Sequence, residues 1–378
     1  MSARDWQDRE GIRAHGIRER TVMAGKTYSG NYFEDFTIGR QIVHATPRTV
    51  TQGDIALYLA LYGSRFAATS ASTFARDLGY PQLPIDSLLA FHLVFGKTVP
   101  DISLNAVANL GYAGGRFGVP VYPGDTLTTT STVIGLKPNS SGRNGNVYVR
   151  SVGVNQDGQM VLDYVRWVMV NRREAVSEVG ESVIPPLPGA VAVEDLVVPY
   201  EPGAPYDERM QALAGSTHLW DDYEVGERID HVDGMTIEES DHMLATRLYQ
   251  NTAKVHFNQF AQNDTKIGRR LIYGGHIISL ARALSFNGLA NAQAVAAINA
   301  GSHANPTFAG DTIYAWSEVL DRMEVPGRAD VGALRLRTVA TKDLPCAGFP
   351  YRDEAGKYLP GVVLDLDYTV LMPRRAGA

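Results

Sequence analysis

Asn251 and His256 are the two side chains whose types and spacing most readily suggest chemistry. They lie five positions apart (256 − 251 = 5) in the stretch LYQNTAKVHFN, residues 248–258, on a turn that follows a helix-like segment. A turn running into a helix start can bring both to one side. There an imidazole could take a proton from water while an amide holds that water. The spacing names no reaction. An asparagine is a common turn former, and a lone histidine is more often a satisfied or exposed ring than a catalyst.

The surrounding chain bounds what such a pair could serve. Its 378 residues fit two ordinary domains, and 44% hydrophobic with 20% charged residues suits a soluble globular protein. A net charge of −6 and a pI near 5.9 argue against a general nucleic-acid or anionic-membrane binder, which needs a positive face to gain from counterion release. Cys346 is the single cysteine, so the chain has no internal disulfide and no Cys-rich metal site. That composition suits a reducing cytoplasm, the expected location. The nine histidines are scattered without an HExxH pattern, and no GxGxxG follows a strand-like run. No metal and no cofactor are therefore expected.

The elements that must position the pair are written twice. Residues 33–69 lie over residues 220–256 without a gap at an offset of 187, with nine identities that include His44/His231, Leu61/Leu248 and Tyr62/Tyr249. Farther on, PGDTL at residues 123–127 answers AGDTI at 309–313, the offset having slipped to 310 − 124 = 186. A repeat of this length means two copies of one fold.

Each copy reads in the same order. A strand at residues 41–45 or 228–232 leads to Thr49 or Thr236 in a cap-like position before a helix. A polar loop precedes a long apolar helix at residues 87–98 or 276–287, apolar on all sides and so expected to be buried. Strand-like runs follow at 125–136, 146–155 and 160–171, and again at 311–320, 331–341 and 361–371. The apolar run at 290–300 suits a buried strand or helix and is too short to cross a bilayer. The expected organisation is an N-terminal arm (1–28), a first domain (29–181), a Pro-rich linker (182–207) and a second domain (208–378). The fold class is α+β, with strands wrapped around one long helix per copy.

A helix, a polar loop ending in His, a long buried helix and a PGDTL turn, duplicated over residues 30–372, resemble the MaoC-like enoyl-CoA hydratase family. Within it, YQNTAKVHFNQF together with RRLIYGGHIISLARALS is most similar to the branch that hydrates mesaconyl-CoA. The resemblance implies a tandem (double) hot-dog fold and reversible hydration of an enoyl-CoA thioester, with CoA part of the substrate.

Members of the family generally carry Gly-Asp-x-Asn-Pro-x-His in the loop. Here His256 stands at the histidine, Asn251 at the aspartate, Gln250 at the glycine, Ala253 at the asparagine and Lys254 at the proline. The first copy reads Gly63, Ser64, Phe66, Ala67 and Thr69 at the same places, which implies that only the second copy is catalytic. An amide takes no proton at neutral pH, so His256, near its ordinary pKa, becomes the expected base and Asn251 the water holder. Asp86, at the start of the first long helix, is a candidate second carboxylate, though a helix-start carboxylate is more often a cap.

Hydration of an enoyl thioester builds charge on its carbonyl oxygen. The amides of Gly274 and Gly275 at a helix N-terminus suit that oxygen, and a tight loop-to-helix turn explains them equally well. A dicarboxylic substrate also needs a cation, for which Lys254, Arg247 and Arg65 are the nearby candidates. Two other function classes remain open: a hot-dog thioesterase, and a non-catalytic acyl-CoA-binding subunit. A tandem chain already holds both copies, so a monomer and a homodimer both remain open, with the homodimer preferred.

Overall fold

The computed structural model describes residues 26–375. Most of the expected N-terminal arm, residues 1–25, lies outside them. The first half contains β1 (Gln41–Thr49), α1 (Gln52–Tyr62), α2 (Ala67–Ser70), α3 (Ser72–Leu78), α4 (Ser87–Thr98), β2 (Ala106–Phe117), β3 (Thr126–Pro138), β4 (Asn144–Val154) and β5 (Met160–Asn171). A short helix α5 (Glu208–Ala214) precedes the second half. There follow β6 (Arg228–Thr236), α6 (Glu239–Leu248), α7 (Lys254–Phe257), α8 (Gln259–Asn263), α9 (Gly274–Leu284), α10 (Phe286–Leu289), β7 (Ala294–His303), β8 (Thr312–Glu324), β9 (Val331–Lys342) and β10 (Val362–Pro373). Among the described residues no helix is long and apolar enough to cross a membrane.

All the strands form one ten-stranded antiparallel sheet in the order β1-β3-β4-β5-β2-β7-β10-β9-β8-β6. The second half of that order repeats the first in reverse, as a two-fold relation between the copies requires. The seam is the β2–β7 pair, with Tyr112 opposite Gly301 and Arg116 opposite Ala297. Period-two burial along β3 turns one face inward, onto the long helices. In α4 every residue from Leu88 to Thr98 is buried. Side chains such as Phe91 and Leu93 each contribute roughly 1.5–3 kcal/mol by leaving water.

Four local expectations change. Thr49 and Thr236 are not caps: they close β1 and β6, and each pairs its hydroxyl at 2.8 Å with a threonine across the sheet, Thr126 and Thr312. The N-cap of α1 is Thr51, whose hydroxyl accepts from Asp54 N while the Asp54 carboxylate accepts from Thr51 N at 2.7 Å. The second long helix starts at Gly274 and is interrupted after Leu284, where Asn287 and Gly288 leave helical geometry. The apolar run near residue 294 is strand β7, and its partner β2 is a further strand, not among those expected.

Candidate active site

Helix α6 delivers the loop that carries Asn251. It closes with Asn251 N–H on Thr246 O at 2.9 Å and Gln250 N–H on Arg247 O at 3.1 Å, while Gln250 takes a left-handed φ of 55°. This is the double-bonded helix ending that glycine favours, and Gly63 fills the same place after α1 with φ 57°. In the second half a glutamine holds it instead, and its side-chain oxygen accepts a bond from the buried Lys97 ammonium of α4. One residue earlier in α4, Gly96 lies against the loop: a Cβ there would stand 1.8 Å from Tyr249 O. The first half therefore braces the loop of the second.

Past the turn, the Asn251 amide oxygen accepts from Ala253 N–H at 3.2 Å and fixes the entry to α7. His256, on α7, donates from Nδ1 to Leu271 O at 2.9 Å, which leaves the Nε2 lone pair available. Both residues line one cavity of about 270 Å³, together with Tyr273, Gly274 and His303. Among the described residues no Asp or Glu lines it. Burial pushes the His256 pKa down to about 4 against the upward pull of the Leu271 carbonyl, below the ordinary value expected from sequence. Part of the ring opens on the cavity, so water or substrate inside it moderates that shift.

The two glycines divide between the readings given to them. A Cβ on Gly274 would stand 2.3 Å from the His303 ring, and one on Gly275 would stand 2.4 Å from Tyr273 and 2.6 Å from His92. Close ring packing therefore requires both. Gly274 also lines the cavity at the first position of α9, where the opening amides have no acceptor within the helix. The preceding amide, Tyr273 N–H, is bound by His242 Nε2 at 2.9 Å.

Lys254, Arg247 and Arg65 are all exposed, and none lines the cavity. Arg65 lies instead over the Phe286 ring at 4.4 Å. Asp86 is the N-cap of α4, accepting from Leu88 N–H at 2.7 Å, and lines a different, smaller cavity of about 40 Å³. Burial pushes its carboxyl up, partly countered by Arg282. That second cavity is the counterpart of the first across the repeat, because it is lined by Thr69, which answers His256. Arg282, whose guanidinium lies 3.4 Å from the centre of the Phe66 ring, also lines it.

A family model described as mesaconyl-CoA hydratase matches residues 5–346. The chain belongs to the mesaconyl-CoA hydratase family. Its relatives in that family include a β-methylmalyl-CoA dehydratase of Chloroflexus aurantiacus, 67% identical over 93% of this chain and 100% of the relative. A mesaconyl-CoA hydratase of Cereibacter sphaeroides is 61% identical over 92% of this chain and 100% of its own. A solved MaoC-domain dehydratase from Chloroflexus aurantiacus superposes with a TM-score of 0.90 at 66% identity, covering 93% of this chain and all of that one. A Mycobacterium tuberculosis protein with a double hotdog fold shares the fold at a TM-score of 0.69 and 24% identity, over 92% and 99% of the two chains. The tandem hot-dog architecture is thus the one this family chain adopts.

Several lining residues of this mesaconyl-CoA hydratase family member were not singled out from sequence: Tyr273, His303, Asn109 and Arg166. Only Arg166 left a usable signal there. It shares its strand parity with Tyr164, Val168 and Val170, all inward-facing and buried. A charge in an apolar stripe needs a reason.

Proposed function

We propose that the protein catalyses the reversible hydration of mesaconyl-CoA to β-methylmalyl-CoA, the reaction partners named by its relatives. The observation that supports this reading best is the joint placement of a tautomer-fixed histidine, an asparagine and an opening helix amide around one cavity without a carboxylate. In this reading water stands between Asn251 and His256. Nε2 of His256 takes one proton while the oxygen bonds to the β-carbon, and the π electrons move to the thioester oxygen. The amides of Gly274 and Gly275 meet that oxygen at the positive end of α9. The proton held by the imidazolium then passes to the α-carbon, and dehydration is the same path in reverse.

Asp86, the carboxylate at a long helix that a hot-dog thioesterase would use, caps α4 beside the other cavity and does not line the one that holds His256. Incubation with mesaconyl-CoA tests the assignment directly. Loss of the enoyl-thioester absorbance without release of free CoA is expected. Release of CoA would mean hydrolysis, and no change would mean binding only. His256→Ala should lower the rate roughly 100-fold or more, the scale of losing a general base, while Thr69→Ala in the smaller counterpart should keep most of it. Equal losses from the two changes would overturn the inequality of the two halves.

A further inference from the structure

Arg166 is a cation buried without a counter-charge. None of its surface is open to water, from the bulk or from the cavity, so a ligand group meets it by taking the place of a neighbouring side chain, and it forms no ion pair with a described carboxylate. Its guanidinium lies 4.4 Å from the centre of the Phe95 ring and donates to the hydroxyls of Thr98 at 2.7 Å and Ser103 at 2.9 Å, and to Asn109 Oδ1 at 3.3 Å. The carboxylate of Asp101, two residues before Ser103, is engaged by His44 at 2.7 Å. Two donors in this group have no acceptor: Arg166 Nε and Asn109 Nδ2. Burying an unpaired charge and leaving donors unmade both cost free energy, which a bound anion would recover.

The group faces a ligand site. Arg166, Asn109 and Ser103 line the same cavity as Asn251 and His256. The exposed cations Lys254, Arg247 and Arg65 do not. Across the repeat Tyr368 stands on β10 where Arg166 stands on β5, counted from Leu364 and Leu162, and the cation of the counterpart cavity, Arg282, comes from helix α9 instead. We propose that Arg166, assisted by Asn109, binds the free carboxylate of a dicarboxylic acyl-CoA and so selects the substrate class. The inference rests on the hydration reading for the location of the reacting end, but its own test needs no turnover.

Methylsuccinyl-CoA and 2-methylbutyryl-CoA differ only in a carboxylate against a methyl group, and neither has a double bond to hydrate. Their dissociation constants, measured by calorimetry on the whole protein, report the carboxylate contact alone. Wild type should bind the dicarboxylic ester roughly 10- to 100-fold tighter, the range of charge-assisted hydrogen bonds. Arg166→Met should abolish that preference while keeping affinity for 2-methylbutyryl-CoA. Arg166→Lys should restore part of it, and Asn109→Ala should reduce it less than Arg166→Met. No preference in wild type, or an equal loss for both esters in Arg166→Met, overturns the assignment and leaves Arg166 a brace for α4. Should Arg166→Met not fold, the Asn109→Ala and Arg166→Lys ratios decide alone. A clear preference without hydration of mesaconyl-CoA would keep this inference and reject the proposed reaction.

Discussion

At the scale of single residues the informative departure is Asn251. Its oxygen is used by Ala253 N–H, so the side chain presents its amino group to the cavity. With the substrate carboxylate assigned to Arg166, that amino group is left to hold the water. Asn251→Asp keeps the size and the acceptor for Ala253, replaces the amino donor by an oxygen that accepts from the same water, and should retain turnover on dicarboxylic and neutral enoyl-CoA esters alike. Asn251→Ala loses both contacts and should lower kcat by roughly 10- to 100-fold. Collapse of Asn251→Asp on the dicarboxylic ester alone would place the carboxylate at residue 251 instead. Initial rates on mesaconyl-CoA and on an uncharged enoyl-CoA separate the outcomes. Sequence made this loop legible because its residue types are unusual together. It could not rank the histidines that the repeat shares: His44 and His231 are identical partners, and both prove to be buried tethers that bind Ser131 and Ser317 at 2.8 Å.

At the scale of elements, the loop's geometry depends on a helix from the other half. Helix α4 meets the loop backbone at Gly96 and its Gln250 side chain at Lys97, and Tyr62 Oη bonds Tyr249 Oη at 2.7 Å across the same junction. A methyl group at residue 96 has only the Tyr249 carbonyl to displace. Gly96→Ala should therefore cut kcat by about 10-fold or more through a shifted Asn251, despite its better helix propensity. Wild-type kcat with normal folding, seen by circular dichroism, would show that the loop tolerates the shift. Helix α4 was readable from its apolar run, to the residue. Strand β2 was not: AVANLGYAGGRF carries three glycines and three alanines, which lack the bulky or branched character of strands. Only pairing with both β5 and β7 makes it one.

At the scale of the whole molecule, the two halves share one sheet and enclose polar rings that neither half would bury alone. His276 Nδ1 meets Tyr62 Oη at 2.9 Å, and His92 Nε2 meets Ser279 Oγ at 2.8 Å, each bond crossing between halves. Scattered along the chain, five histidines gather here: His92, His242, His256, His276 and His303 form ring contacts with one another or with Tyr112 and Tyr273. Among the described residues no three metal-binding side chains converge. Burial pushes the pKa of His92 and His276 down to about 3, of His242 to about 2, and of His231 and His303 to about 4. In the unfolded chain the same rings take up protons near pH 6.5. Below that pH the unfolded state binds more protons than the folded one, so stability is full above pH 6.5 and declines as pH falls toward 4. Each ring contributes a slope on the order of 1 kcal/mol per pH unit. Between pH 7 and 5.5 few carboxylates titrate, so histidines dominate the change. Thermal scans at one fixed rate should show a Tm several degrees lower at pH 5.5 than at pH 7, with net proton uptake on unfolding at pH 5.5. An unchanged Tm over that interval would mean that water already reaches these rings in the folded protein.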